Sequence, residues 1–113
     1  MAVRLYCGNP KALLDAIKSA VRDGSIETWE LDGDGDFTHS REQWKEKAWF
    51  RPILEDGKIV FNILGQKGVV MSRTIYGVYH GRFIEILLTH FDTRFARATA
   101  TALPIDGDRV GSS

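Results

Sequence analysis

The sequence contains a single cysteine, Cys7, and no run of apolar residues long enough to cross a membrane. One cysteine can neither form an internal disulfide nor hold a structural zinc ion by itself, and this fits a reducing compartment. A membrane-spanning helix needs about 20 consecutive apolar residues, and the first residues lack the basic and apolar segments of a secretion signal. We therefore expect a cytoplasmic protein without a membrane partner.

The sequence also lacks an excess of charge, because 15 Lys and Arg residues balance 15 Asp and Glu residues. Nucleic-acid binding depends on a concentrated basic surface, so no nucleic-acid partner is expected. The balance is locally uneven, since residues 32–43 carry four acidic residues and one basic residue. One acidic segment thus offsets a mildly basic remainder.

The motifs G-x-x-x-x-G-K-[ST], G-x-G-x-x-G and G-x-S-x-G are absent from the sequence. These motifs hold phosphates, bind dinucleotides or present a nucleophilic serine. The sequence therefore predicts no cofactor and no catalytic residue, and it favours a binding protein over an enzyme.

Two segments have the spacing of helices. Leu13, Ile17 and Val21 recur every four residues after Asn9-Pro10, a pair typical of a helix start. A second, longer helix is predicted over residues 69–91 from its apolar periodicity. Ser40 and Gln43 match a capping box, which predicts one further helical turn over residues 41–46.

Strand-forming segments alternate with these helices. Together they predict one α+β domain: a mostly antiparallel sheet of about five strands with two helices packed on one face, in the order β-α-β-β-β-α-β. The domain is expected to span residues 1–104, followed by a flexible tail over residues 105–113. The predicted strands comprise residues 3–7, 25–32, both sides of the turn at 56–57, and 93–103, with a further short strand possible at 37–39.

The Asp56-Gly57 pair predicts a tight hairpin turn. In that register Arg51 faces Asn62, and Trp49 lies on the same side of the hairpin. Trp and Arg are enriched where proteins bind one another, so this hairpin face is the leading candidate for binding a protein or peptide partner. The alternative is that another segment of the chain covers this face.

A second hypothesis places a small-molecule pocket or active site on the second helix, near Gly77, His80 and Gly81. The two glycines lie on one helix face, where they either open a pocket beside His80 or let the alanine-rich strand at 93–103 approach closely. The residues proposed to line the pocket are Tyr76, Tyr79, His80 and Glu85. The alternative is a half-buried structural His80.

Positions 80 and 85 are about 140° apart around a helix, so no His80–Glu85 pair is expected. Arg82 and Glu85 instead have the spacing of a surface ion pair. Neither His39 nor His90 has the spacing of a metal ligand, and neither is assigned a site.

Asp32, Asp34 and Asp36 alternate with glycines like the start of an EF-hand calcium loop. The match then fails, because Phe37 occupies the position that requires glycine and Gln43 the position of the bidentate glutamate. The three aspartates are candidate ligands for calcium or magnesium, and the alternative is a solvated acidic loop.

Two segments, QWKEKAWFRP at 43–52 and YGVYHGRF at 76–83, resemble those of a family of small uncharacterised bacterial proteins. No activity is attached to that family. The resemblance therefore implies no catalytic residue, ligand or cofactor.

Overall fold

The computed structural model describes residues 1–111, which form six strands and two helices. The sheet has the order β2-β3-β4-β5-β1-β6 with antiparallel neighbours, so the predicted α+β class is confirmed, with six strands instead of about five. No described helix has both the length and the apolarity to cross a bilayer. The elements are β1 (Ala2–Tyr6), α1 (Pro10–Arg22), β2 (Trp29–Leu31), β3 (Phe37–His39), β4 (Ala48–Glu55), β5 (Lys58–Gly65), α2 (Arg73–Phe91) and β6 (Arg97–Ala100).

Both helices begin at polar caps. The Asn9 side chain accepts a hydrogen bond from the Ala12 amide at 3.2 Å, and the Ser72 hydroxyl accepts one from the Ile75 amide at 3.1 Å. These bonds satisfy amides that lack a partner within the helix. Because of the Ser72 cap, α2 begins at residue 73, four residues later than the periodicity predicts.

The hairpin of β4 and β5 has the predicted register, with Arg51 opposite Asn62 and Trp49 opposite Leu64. Gly57 adopts a φ of 74°, the left-handed conformation that a tight primed turn requires. This hairpin places alternate side chains on the helix-covered face and on the opposite face of the sheet.

The helix-covered face holds the core. α2 packs across β1 and β4, and its buried aromatic side chains meet aromatic residues from four strands, β2 to β5. The fully buried aromatic residues of this core are Phe37, Phe50, Phe61, Tyr79 and Phe83.

The predicted helical turn at 41–46 is wrong. The Ser40 hydroxyl donates to the Glu27 carbonyl at 2.9 Å. It therefore binds the segment before β2 instead of capping a helix. Residues 41–47 form a turn, in which the Trp44 amide bonds to the Arg41 carbonyl at 2.9 Å. Glu46 has a φ of 54°, which ends any helical path.

The close approach predicted between the glycines of α2 and the alanine-rich strand does not occur. A Cβ atom added at Gly77 or Gly81 would meet nothing within 4 Å, and both residues are exposed. Ala98 and Ala100 pair instead with Leu5 and Val3 of β1, which places β6 at the far edge of the sheet.

Residues 105–111 fold back along β5. The Arg109 amide donates to the Ile63 carbonyl at 2.9 Å, and the Gly65 amide donates to the Arg109 carbonyl at 2.6 Å. These bonds give the segment a defined place beside the sheet. The domain limit at 104 and the flexibility of the tail stay predictions, and residues 112–113 lie outside the described residues.

Candidate functional site

A cavity of about 470 Å³ lies between the end of β3, the turn at 41–47 and the middle of α2. Its volume falls within the range of roughly 300–1,000 Å³ that is typical of small-ligand pockets. We call it the His39 pocket. Its lining residues are Thr28, His39, Arg41, Glu42, Gln43, Trp44, Arg82 and Glu85.

His39 is the last residue of β3 and is only 4% exposed. Its ring packs against the ring of Trp29, with 5.2 Å between centroids. Nδ1 accepts a hydrogen bond from the Arg41 amide at 3.1 Å. Burial lowers the pKa of His39, and the positive charges of Arg82 and Arg41 lower it further. The ring is therefore neutral at pH 7, and its proton lies on Nε2.

The turn that carries Trp44 is held in place from the core side by Tyr79, a fully buried residue of α2. The Tyr79 hydroxyl donates to the Trp44 carbonyl and accepts a hydrogen bond from the Lys47 amide at 3.2 Å. Its oxygen also lies 3.4 Å from the Thr38 hydroxyl. Tyr79 thus ties one wall of the His39 pocket to the core, a positioning role that the sequence did not indicate.

The residues predicted to line a pocket near His80 are not brought together in the His39 pocket. His80 is 7% exposed, its Nδ1 donates to the Tyr76 carbonyl at 2.6 Å, and its buried Nε2 has no partner among the described residues. Of the four residues predicted to line that pocket, only Glu85 lines the His39 pocket. Arg82 and Glu85 form the expected surface ion pair, at 3.6 Å.

Replacing His80 by leucine should make the stability of the protein less sensitive to mild acid. Burial lowers the pKa of His80 below its ordinary value of 6.5, and the N-terminal ammonium lowers it further. Together these effects outweigh the backbone of Tyr76 and Met1 and the charge of Asp108, which raise the pKa. Below about pH 6.5 the unfolded chain therefore binds a proton that the native state excludes, and stability falls as the pH falls towards the lowered pKa.

Urea denaturation at about pH 7.5 and pH 5.5 measures this difference. His90→Gln is the matched control, because His90 is exposed on the same helix. A His80→Leu protein whose stability depends on pH as strongly as that of the original would contradict the expectation. A smaller pH dependence that persists in this variant is attributed to His39, whose pKa is also lowered.

The residues predicted to form a binding face on the hairpin do not share one exposed surface. Trp49 is half-buried and the Arg51 side chain is 50% exposed, but Asn62 is only 1% exposed. The Asn62 amide donates to the Asp106 carbonyl at 3.0 Å and to the Asp108 carboxylate at 2.8 Å. The segment after β6 therefore covers Asn62, whereas Trp49 and Arg51 line a second cavity of about 430 Å³.

The three aspartates of the acidic loop converge, with one carboxylate oxygen from each within 4.8 Å of the others. Asp36 is bound by the Arg51 guanidinium through hydrogen bonds of 3.1 and 2.8 Å. The Asp32 carboxylate accepts hydrogen bonds of 2.9 Å from the amides of Asp34 and Asp36. The loop thus receives counter-charge and donors from its own chain, and cation binding by these residues stays a prediction.

The sequence did not indicate the His39 pocket, because its walls come from separate parts of the chain. His39 was considered only as a metal ligand, and Trp44 only as part of the segment 43–52 that resembles a bacterial family. One local signal was available: His39 ends a strand directly before the turn that carries Arg41 and Trp44, and binding residues often follow strand ends. The contribution of Arg82 depends on how α2 packs.

Comparison of the chain with models of protein families, with curated proteins and with solved structures found no match. The resemblance of residues 43–52 and 76–83 to a small bacterial family therefore stays a prediction. Function is inferred from the geometry of the site.

Proposed function

We propose that the protein binds a small molecule in the His39 pocket. The observation that carries this proposal is the convergence, on one concave cavity of about 470 Å³, of a nearly buried imidazole, an indole and two guanidinium groups. Small-ligand sites combine apolar walls with a few polar groups that fix orientation, and their titratable groups often have shifted pKa values.

Each lining group has a distinct role in this proposal. Trp44 offers an apolar face, Thr28 and Gln43 offer uncharged hydrogen-bonding groups, and the neutral His39 offers its Nε2–H. Since the lining is held by Tyr79 and by the hydrogen bond from Arg41 to His39, much of the pocket is formed before a ligand arrives. Such preorganisation reduces the entropic cost of binding.

A fragment screen followed by two-dimensional amide NMR tests this proposal. Bound fragments should shift the amides of residues 39–44 and 82–85. Replacing Trp44 by alanine should weaken binding roughly tenfold, because loss of a buried aromatic contact typically costs more than 1 kcal/mol. Trp49→Ala is the matched control, since Trp49 is half-buried outside this pocket.

Two results would reject the proposal. The first is a set of fragments whose shifts cluster elsewhere on the protein. The second is an equal loss of affinity in the Trp44→Ala and Trp49→Ala proteins, which would mean that the tryptophan in the pocket has no special part in binding.

Binding of a protein or peptide through the hairpin is a second candidate function. Its support is the exposure of Ile53 (41%) near the tip of the hairpin, on the same face of the sheet as the half-buried Trp49 and the exposed Arg51. Leu54 (46%) is exposed on the other face of the tip. Exposed apolar side chains beside Trp and Arg are typical of interaction surfaces. The two candidates use different faces, so the NMR map of bound partners and fragments separates them.

A cytoplasmic location belongs to the same proposal. Cys7 is buried, and burial raises the pKa of its thiol, which keeps the thiol protonated and unreactive. This environment suits a cysteine that stays reduced.

A further inference from the structure

The two arginines of the His39 pocket come from different elements, Arg41 from the turn and Arg82 from α2. Burial has the largest effect on the pKa of His39, and Arg82 and Arg41 each lower it further. Both guanidinium groups are therefore close enough to act on the imidazole. Glu42 and Glu85 also line the cavity but do not contribute to this shift. The lining as a whole thus holds two arginines and two glutamates, and the arginines are the charges that act on the imidazole.

The charges of these arginines are only weakly compensated. Arg82 pairs with Glu85 at 3.6 Å, and the two side chains are 56% and 61% exposed, so water screens the pair. Arg41 has no ion-pair partner within residues 1–111. Each guanidinium has five N–H donors, and most of them stay available to a ligand.

His39 adds a third donor. Its Nδ1 is occupied by the Arg41 amide, which leaves Nε2–H as the polar atom that can reach a ligand. Glu85 competes for Arg82 only through the exposed pair at 3.6 Å, and Arg41 forms no ion pair within residues 1–111. The three donor groups therefore suit a group that only accepts hydrogen bonds. We infer that the His39 pocket selects ligands that carry an oxyanion, a carboxylate or a phosphate, bound by Arg41, Arg82 and the Nε2–H of His39.

This inference rests on the proposed function, because it specifies which small molecules the pocket takes. The rest of such a ligand would lie against Trp44, the aromatic wall of the cavity. A ligand with a ring next to its oxyanion would use both features. A neutral or cationic ligand of the same shape would leave the guanidinium groups unpaired and would bind more weakly.

Four probes with one ring and different head groups test the inference: phenyl phosphate, benzoate, benzyl alcohol and benzylamine. Their dissociation constants follow from amide NMR titrations. Phenyl phosphate and benzoate should bind at least about tenfold more tightly than benzyl alcohol, and benzylamine should bind most weakly. Raising the salt concentration should weaken only the two anions. The tighter of the two anions shows whether the pocket prefers a phosphate or a carboxylate, and both results support the inference.

Two variants locate the charge that matters. Arg41→Gln and Arg82→Gln should each weaken phenyl phosphate roughly 10- to 100-fold, the range expected for losing a charged hydrogen bond. Binding of benzyl alcohol should change little. Arg73→Gln is the matched control, because Arg73 is an exposed residue at the start of α2 outside the pocket. Thermal unfolding of each variant verifies that it is folded.

The outcomes separate this inference from the function on which it rests. If benzyl alcohol shifts residues 39–44 and 82–85 and binds as tightly as phenyl phosphate, the pocket binds ligands but the oxyanion inference is overturned. The inference also falls if Arg41→Gln and Arg82→Gln bind phenyl phosphate as well as Arg73→Gln does. If none of the probes, nor any fragment of the wider screen, shifts these residues, both proposals fail.

Discussion

Replacing Phe83 by alanine should lower the free energy of unfolding by about 3–5 kcal/mol, as measured by urea denaturation. Phe83 is fully buried in α2. Its ring centroid lies 4.7 Å from that of Phe50, 4.8 Å from that of Phe61 and 5.0 Å from that of Trp29. Truncation removes these contacts and leaves a cavity where α2 meets the sheet, and both losses destabilise the native state.

Two further variants make this expectation specific. Leu88→Ala changes a residue of the same helix that is 52% exposed, and it should change stability by less than about 0.5 kcal/mol. Phe83→Leu keeps most of the buried volume and should cost about 1 kcal/mol. Similar losses in Phe83→Ala and Leu88→Ala would mean that Phe83 does not anchor α2. Because Arg82 precedes Phe83, this anchor also holds one wall of the His39 pocket.

The hairpin was predictable in detail because its signals are local. Asp56-Gly57 specifies a two-residue turn, and the pairing of Arg51 with Asn62 then follows from counting residues outward. The start of α1 is local in the same sense, since Asn9 and Pro10 act within one turn of the helix. Such features depend on neighbours in the sequence, so no knowledge of packing is needed.

The predictions that the structure contradicts concern residues whose surroundings depend on a distant segment of the chain. Ser40 and Gln43 have the spacing of a capping box, but the Ser40 hydroxyl bonds to Glu27 before β2. The spacing of Gly77 and Gly81 correctly placed both residues on one helix face, but it could not tell which way that face points. It points to solvent, because the opposite side of α2 carries the buried aromatic residues Tyr79 and Phe83.

The candidate site was the least predictable part for the same reason. His39 and Arg82 are 43 positions apart in the sequence, and neither belongs to a motif that implies the other. Tyr79 was expected to line a pocket, yet its hydroxyl holds the Trp44 turn from inside the core. Only the packing of α2 against β3 and the turn brings these groups together.

The two buried histidines illustrate how little burial alone says about function. In His80 the Nδ1–H donates to a backbone carbonyl, which leaves the buried Nε2 without a partner among residues 1–111. In His39 the Nδ1 accepts from a backbone amide, which leaves an Nε2–H donor on a ring that lines a cavity. The hydrogen bond of one ring nitrogen therefore decides what the other can do. This contrast favours His39 over His80 as the ligand-binding group.

Replacing Asp108 by alanine should lower the free energy of unfolding by about 3 kcal/mol, because several buried donors would lose their acceptor at once. The Asp108 side chain is 0% exposed. Its carboxylate accepts hydrogen bonds from the Asn62 side chain at 2.8 Å, from the Ile63 amide at 3.1 Å and from the Ile105 amide at 2.9 Å. Urea denaturation measures the loss of stability.

The matched control is Asp106→Ala, since Asp106 is exposed and binds Asn62 only through its backbone carbonyl. Hydrogen exchange adds a local measurement. The amides of Gly65 and Met71 donate to the carbonyls of Arg109 and Val110, so both should exchange faster in Asp108→Ala than in Asp106→Ala. If residues 105–110 behave as a free tail, the two variants will be equally stable. A large difference between them would make this segment an integral part of the fold, in which the buried carboxylate of Asp108 supports the backbone hydrogen bonds to β5.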